Sequence, residues 1–221
     1  DGFDPRHICN HSDDRGRYAF AAQPQVGWWN LHALAQALAP LVDNDVDGLQ
    51  AALAPYPEAF SREMTARMRA KLGLAEPRDG DAALIDDWLQ LLAVEKTDFT
   101  IAHRRLCDFD STPGSANPAL RDLFIDRCGF DAWALRYAAR LAEEASDNAN
   151  RALRMRQANP KYVLRNHLAQ TAIERAEAGD FGETMRLLKV LQRPFDEQPE
   201  HAAYAAFPPD WASSIEISCS S

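Results

Sequence analysis

Residues 82–96 read AALIDDWLQLLAVEK. Leu84, Ile85, Trp88, Leu91 and Leu92 recur at three- and four-residue spacing, which places them on one side of an α-helix. The same period runs through most of the chain. Trp28, Leu31, Leu34, Ala35 and Leu38 predict an amphipathic helix that begins near Trp28 and ends or kinks at Pro40. Leu49, Leu53, Phe60, Met64, Met68 and Leu72 continue the pattern, with a break at Pro55–Pro57. Met64 and Met68 read as a core stripe rather than a cofactor contact. Trp133, Tyr137 and Leu141 align in a later helix.

Cap residues punctuate these segments. Asp98 is positioned to cap the helix beginning FTIAHRRL. Asn117–Pro118 and Asn159–Pro160 each pair a cap residue with a proline suited to the first helical position. Gly179 suits a left-handed helix end. Asp180 and Glu183 suit the start of a last helix running to about Gln192. Seven or eight helices and no strand pair are expected; SIEIS (214–218) alternates but lacks a partner. The fold class is therefore mainly α. Residues 1–26 read as a loop segment, 27–192 as the helical body and 193–221 as an irregular, proline-rich tail.

With 221 residues, 46% of them apolar, the chain can bury one large core or two small ones. Lys plus Arg total 24 against 33 Asp plus Glu, a net charge of −9, which argues against nucleic acid as a partner. Arg151, Arg154 and Arg156 form the densest basic cluster and read as a solvated helix face. No apolar run approaches the ~20 residues that cross a bilayer, so no membrane partner is expected. The chain does not begin with Met and reads as the interior of a longer protein, so an organelle-targeting signal lost upstream stays open.

The four cysteines, Cys9, Cys107, Cys128 and Cys219, form no C-x-x-C pair and no zinc-ligand spacing. That usage fits an intracellular protein with reduced thiols. Cys107 and Cys128 fall in helical segments and read as buried structural thiols. Cys219, third from the last residue, admits three readings: accident, tether or chemistry. His7 and His11 flank Cys9, but residues two apart on an extended loop point to opposite sides, and the neighbouring acids raise a thiol pKa. Metal binding and nucleophilic catalysis are thus weaker readings there than loop structure or redox pairing. The triplet Asp180–Phe181–Gly182 sits between two helical patterns, so it reads as a helix start and not as the magnesium motif of kinases.

Four stretches together carry a resemblance: DGFDPRHICNHSDDRGRYAFAAQPQVGWWNL (1–31), NPKYVLRNHLAQTAIERAEAGDF (159–181), LLKVLQRPFDEQPEHAAYAAFPPDW (187–211) and ISCSS (217–221). In this order and extent they resemble the selenoprotein O (SelO) family. Trp28 and His167 depart from the Leu and Tyr expected in relatives. The resemblance implies a protein-kinase-like fold that transfers AMP from ATP to Ser, Thr or Tyr hydroxyls of protein substrates. It implies that ATP and Mg2+ are held by residues preceding Asp1, so no catalytic, cofactor or metal residue is carried onto this chain. The chain then looks like the helical C-lobe plus C-terminal extension, with 1–26 as the activation-loop-like segment and the missing N-terminal part as its structural partner. A bacterial cytoplasmic location is expected. The resemblance further implies a redox pairing of Cys9 with Cys219, a position that some relatives fill with selenocysteine. Closing that loop of roughly 210 residues would constrain the unfolded chain by about 5 kcal/mol. The competing readings are a non-catalytic helical interaction module and, more weakly, a thiol oxidoreductase acting through Cys219.

Overall fold

A computed structural model describes residues 2–216. Among them the chain forms ten α-helices and four short 3-10 helices, and the one β-type pairing is an isolated bridge between Gly2 and Asp98. The chain is mainly α, as the apolar spacing requires. It divides into two compact units: Asp4–Arg67, and Met68–Ile215 with the residues up to Phe3.

The first unit holds α1 (Gln23–Leu38), α2 (Val46–Leu53) and most of α3 (Tyr56–Lys71). Helix α1 starts five residues before Trp28. Pro24 lies in its first turn, where a missing N–H costs no helix bond, so this proline opens the helix. Pro40 sits in the 3-10 turn Ala39–Val42 that ends it. Asp45 caps α2 by accepting from the Gly48 N–H at 3.0 Å. Trp28 stacks on Tyr56 with ring centroids 5.6 Å apart, and the Tyr56 hydroxyl donates to the Pro24 carbonyl at 3.1 Å.

The second unit contains the packed core. Its helices are α4 (Asp81–Val94), α5 (Phe99–Leu106), α6 (Pro118–Arg121), α7 (Arg127–Glu143), α8 (Asn148–Ala158), α9 (Asn166–Glu177) and α10 (Gly182–Leu191). The stretch 82–96 supplies the centre of it, with Leu84, Ile85, Trp88 and Leu92 buried. Trp88 packs on Trp133 of α7 at 4.5 Å, and Trp133 continues to Tyr137 at 4.8 Å. The Trp133 indole N–H donates to the Leu84 carbonyl at 3.0 Å, which locks α7 to α4. Arg140, on the same side of α7, is buried between the carboxylates of Asp81 and Glu144 at 2.7 and 3.1 Å.

Several local expectations change. Asn159 does not open a helix. It closes α8 in an extended conformation, fully buried, with its amide donating to the Lys71 carbonyl at 2.8 Å. Helix α9 begins seven residues later, at Asn166. Asn117 has φ 47° and makes no cap bond; its amide instead donates to the Asp110 carbonyl at 3.0 Å. Asp180 accepts from the Gly182 N–H, but Glu183 is buried and accepts from the Tyr204 hydroxyl at 2.6 Å instead of reaching back to the cap. Met68 is buried whereas Met64 is exposed. Arg151 is buried, not solvated; it donates to the Phe109 carbonyl and to Asn148 Oδ1. For Asn159, Asn117 and Arg151 a backbone carbonyl outside the helix claims the side chain that local pattern assigned to a cap or to water.

Gly73 ends the chain leaving α3 at φ +71°, and a Cβ there would stand 2.6 Å from Arg151 Cγ and 2.7 Å from Met155 Sδ. Gly73→Ala is expected to destabilise this unit by about 2–4 kcal/mol, combining left-handed strain with overpacking. Urea denaturation reads this directly, and a loss under ~0.5 kcal/mol would refute it.

Candidate functional site

The Cys9 loop is built by hydrogen bonds at its two ends. The Ala21 N–H donates to the Pro5 carbonyl at 2.8 Å and the Phe20 N–H to the His7 carbonyl at 3.0 Å, so residues 7–20 form a closed loop. Inside it, the Asp13 carboxylate accepts from the Tyr18 and Arg17 N–H groups at 2.8 and 3.0 Å. The Tyr18 N–H is the first cause holding the Asp13 carboxyl below its usual range. Gly16, at φ +68°, makes the turn that returns the chain, and its carbonyl accepts from the Ala19 N–H at 3.1 Å. Asn10 Oδ1 accepts from the Ser12 N–H at 3.0 Å and fixes the tip.

Cys9 stands at this tip as a free, exposed thiol. The Asn10 amide lies 3.8 Å from its Sγ. A thiol presented on a self-bonded loop is accessible to thiol–disulfide exchange. Cys219, its expected partner, lies outside the described residues. Beside the loop, the Arg17 guanidinium lies 4.3 Å above the Trp29 ring. Gly16, Arg17, Ala22, Val26 and Trp29 line a shallow cleft of about 400 Å³.

The other thiols differ from each other. Cys107 is buried, and burial pushes its pKa up, which leaves it protonated and inert. Cys128 is exposed in the first turn of α7, contrary to the buried role read from its helix. The apolar side of α7 runs through Phe130, Trp133 and Tyr137, and Cys128 falls off it. Among the described residues no group of three or more His, Cys, Asp or Glu side chains is arranged to hold a metal.

Three buried polar clusters escaped the sequence reading. Asp98 caps α5 by accepting from the Ile101 N–H at 2.9 Å, and the same carboxylate pairs with Arg165 at 2.6 Å. The backbone bonds Phe3 N–H to the Thr97 carbonyl at 2.9 Å beside it, and Gly2 passes so close to the Lys96 carbonyl that a Cβ would stand 2.3 Å from it. The first residues are thus attached where Asp98 anchors α5. His103 donates through Nδ1 to the Phe99 carbonyl at 2.7 Å and accepts at Nε2 from the Trp88 indole at 3.1 Å. That pattern is the neutral ring, and burial pushes its pKa down to about 3. The third cluster is Asp81–Arg140–Glu144. Its one sequence signal was Arg140 lying on the Tyr137–Leu141 side of α7.

The two departures from the resemblance both have structural roles. Trp28 stacks on Tyr56, as above, and sits 4.3 Å from the His32 ring. His167 is buried edge-on to Trp211 at 6.1 Å, and burial followed by the nearby Arg165 charge lowers its pKa.

Comparison with known proteins gives a consistent result. The family profile described as "Protein adenylyltransferase SelO" matches residues 1–192. Proteins named "Protein nucleotidyltransferase YdiU" align along the whole chain: 54% identity over 234 residues in Burkholderia multivorans (strain ATCC 17616 / 249), 54% in Burkholderia orbicola (strain MC0-3) and 51% in Burkholderia pseudomallei (strain K96243). Each alignment covers 100% of this chain and 45% of the relative, so the chain spans about half the length of the curated relatives it matches. With a profile match across most of its residues, the chain belongs to the SelO family.

Proposed function

We propose that this chain is the C-terminal helical part of a protein nucleotidyltransferase that transfers AMP from ATP to hydroxyl groups of protein substrates. The observation that carries this reading is the family match over residues 1–192, together with 54% identity to nucleotidyltransferases of which the chain spans 45%. Attack of a substrate hydroxyl on the α-phosphate forms the phosphodiester and releases pyrophosphate, with a carboxylate base accepting the hydroxyl proton. On this reading ATP, Mg2+ and that base belong to the part preceding Asp1. The present chain supplies the packed lobe on which that part rests. The bacterial relatives support a cytoplasmic setting.

Incubating the full-length protein with ATP, Mg2+ and an acceptor protein is expected to add AMP to acceptor hydroxyls, read by mass spectrometry. The 221-residue chain alone is expected to be inactive. Robust AMP transfer by this chain alone would overturn the division of labour. Absence of transfer by the full-length protein would favour the non-catalytic interaction module.

Cys9 and Cys219 form the redox pair of this reading. Oxidised glutathione takes two electrons from the two thiols, so one S–S bond forms and two glutathione thiols are released. The exposure of Cys9 and the inertness of buried Cys107 support it. Non-reducing peptide mapping after such oxidation is expected to yield a Cys9–Cys219 link. A dominant Cys107–Cys128 link would count against it.

A further inference from the structure

From Tyr18 to Val42 the sequence contains no Asp, Glu, Lys or Arg. Helix α1 lies within this stretch, yet none of its 16 residues is buried. Trp29, Leu34 and Leu38 are exposed, and so is Leu41 just beyond, at 79%. Every buried hydrophobic side chain of the described residues is Phe3 or lies from Met68 onward. A surface helix normally carries a charged face opposite its apolar stripe, and a helix apolar all round belongs in a core. Helix α1 therefore lacks the charged face of a surface helix while its apolar side chains have a surface helix's exposure.

We infer that α1 is a core helix of the full-length protein, covered by the polypeptide that precedes Gly2. This rests on the reading above that the remaining half of the relatives' length lies upstream. A second copy of the chain is a poorer occupant. A two-fold contact covers one self-complementary patch, whereas Trp29 and Leu38 point to different sides of α1. A bilayer is poorer still. No helix among the described residues is long and apolar enough to cross one, and α1 carries Gln25, Asn30, His32 and Gln36. Charge depletion marks the centre of a buried contact rather than its rim. An upstream half in continuous linkage can cover α1 from more than one direction.

The test uses the full-length protein with a photo-reactive benzophenone side chain installed at Leu34 or, separately, at Leu41. Irradiation is expected to join each position to a peptide preceding Gly2 within the same molecule. A cross-linked dimer, a link only to peptides of this chain, or no cross-link at either position would overturn the inference. In parallel, Leu34→Glu in the full-length protein is expected to abolish the cooperative unfolding transition. Gln157→Glu, an exposed site on α8, should leave that transition unchanged. A Leu34→Glu protein as stable as wild type would also overturn it. AMP transfer measured on the unmodified protein separates the two readings. Activity without the cross-link sinks the docking alone, and the cross-link without activity sinks the nucleotidyltransferase reading while the docking stands.

Discussion

Asp98→Ala is expected to destabilise the unit built on Met68–Ile215 by about 4–6 kcal/mol. Two losses combine. The α5 cap disappears, since no side chain then accepts from the Ile101 N–H, at a cost of about 1 kcal/mol. The carboxylate facing the Arg165 guanidinium also disappears. Both side chains are almost fully buried, 5% and 2% exposed, so removal of the charge partner costs about 3–5 kcal/mol. Asp98→Asn separates the two terms, because an amide still caps but carries no charge. It should lose about 1 kcal/mol less than the alanine variant. Urea denaturation of the three proteins reads the series, and an alanine variant within 1 kcal/mol of wild type would show that the pair is not buried in solution.

The second large effect is acid sensitivity through His103. Its ring is held neutral by burial, with pKa about 3 against an ordinary value near 6.5. The unfolded chain binds a proton as pH falls below 6.5, and the folded chain does not until about 3. The folded-state pKa is depressed, so the contribution is complete above pH 6.5 and is lost as pH falls. The slope reaches about 1.4 kcal/mol per pH unit, and the whole window amounts to about 5 kcal/mol. Carboxylates add their own acid dependence, so the reading is differential. Stability against pH in the wild type should be steeper than in His103→Gln by about one proton between pH 6.5 and 4. Parallel curves would mean that His103 is protonated in the folded state, contradicting its acceptance of the Trp88 indole N–H.

The core was legible because apolar spacing depends on nothing beyond the helix itself. Leu84, Ile85, Trp88, Trp133, Tyr137 and Leu141 were placed by period alone and all are buried. Asp98 was legible as a cap because a cap bonds its own helix. Its pairing with Arg165 was not, since nothing local ties two residues 67 apart. Asn159 failed for the same reason. Its partner, the Lys71 carbonyl, is 88 residues away and outcompetes the local cap geometry that its neighbour Pro160 suggested. Cys128 was misplaced by taking helix membership as burial, although only one side of α7 faces the core. The exposure of Cys9 and the closure of its loop followed from backbone bonds that composition does not encode.

The Asp98–Arg165 pair also orders events in time. During synthesis a chain emerges at about 5–20 residues per second, so roughly 3–13 s separate the appearance of residue 98 from that of residue 165. For that interval α5 has its cap but no counter-ion, and the anchor for the first residues is incomplete. Native closure of this unit must wait for Arg165, and the closing contact spans a long stretch of sequence, which slows folding relative to a bundle of sequence-neighbouring helices. The segment bearing Cys9 is therefore synthesised seconds before the Met68–Ile215 unit can close.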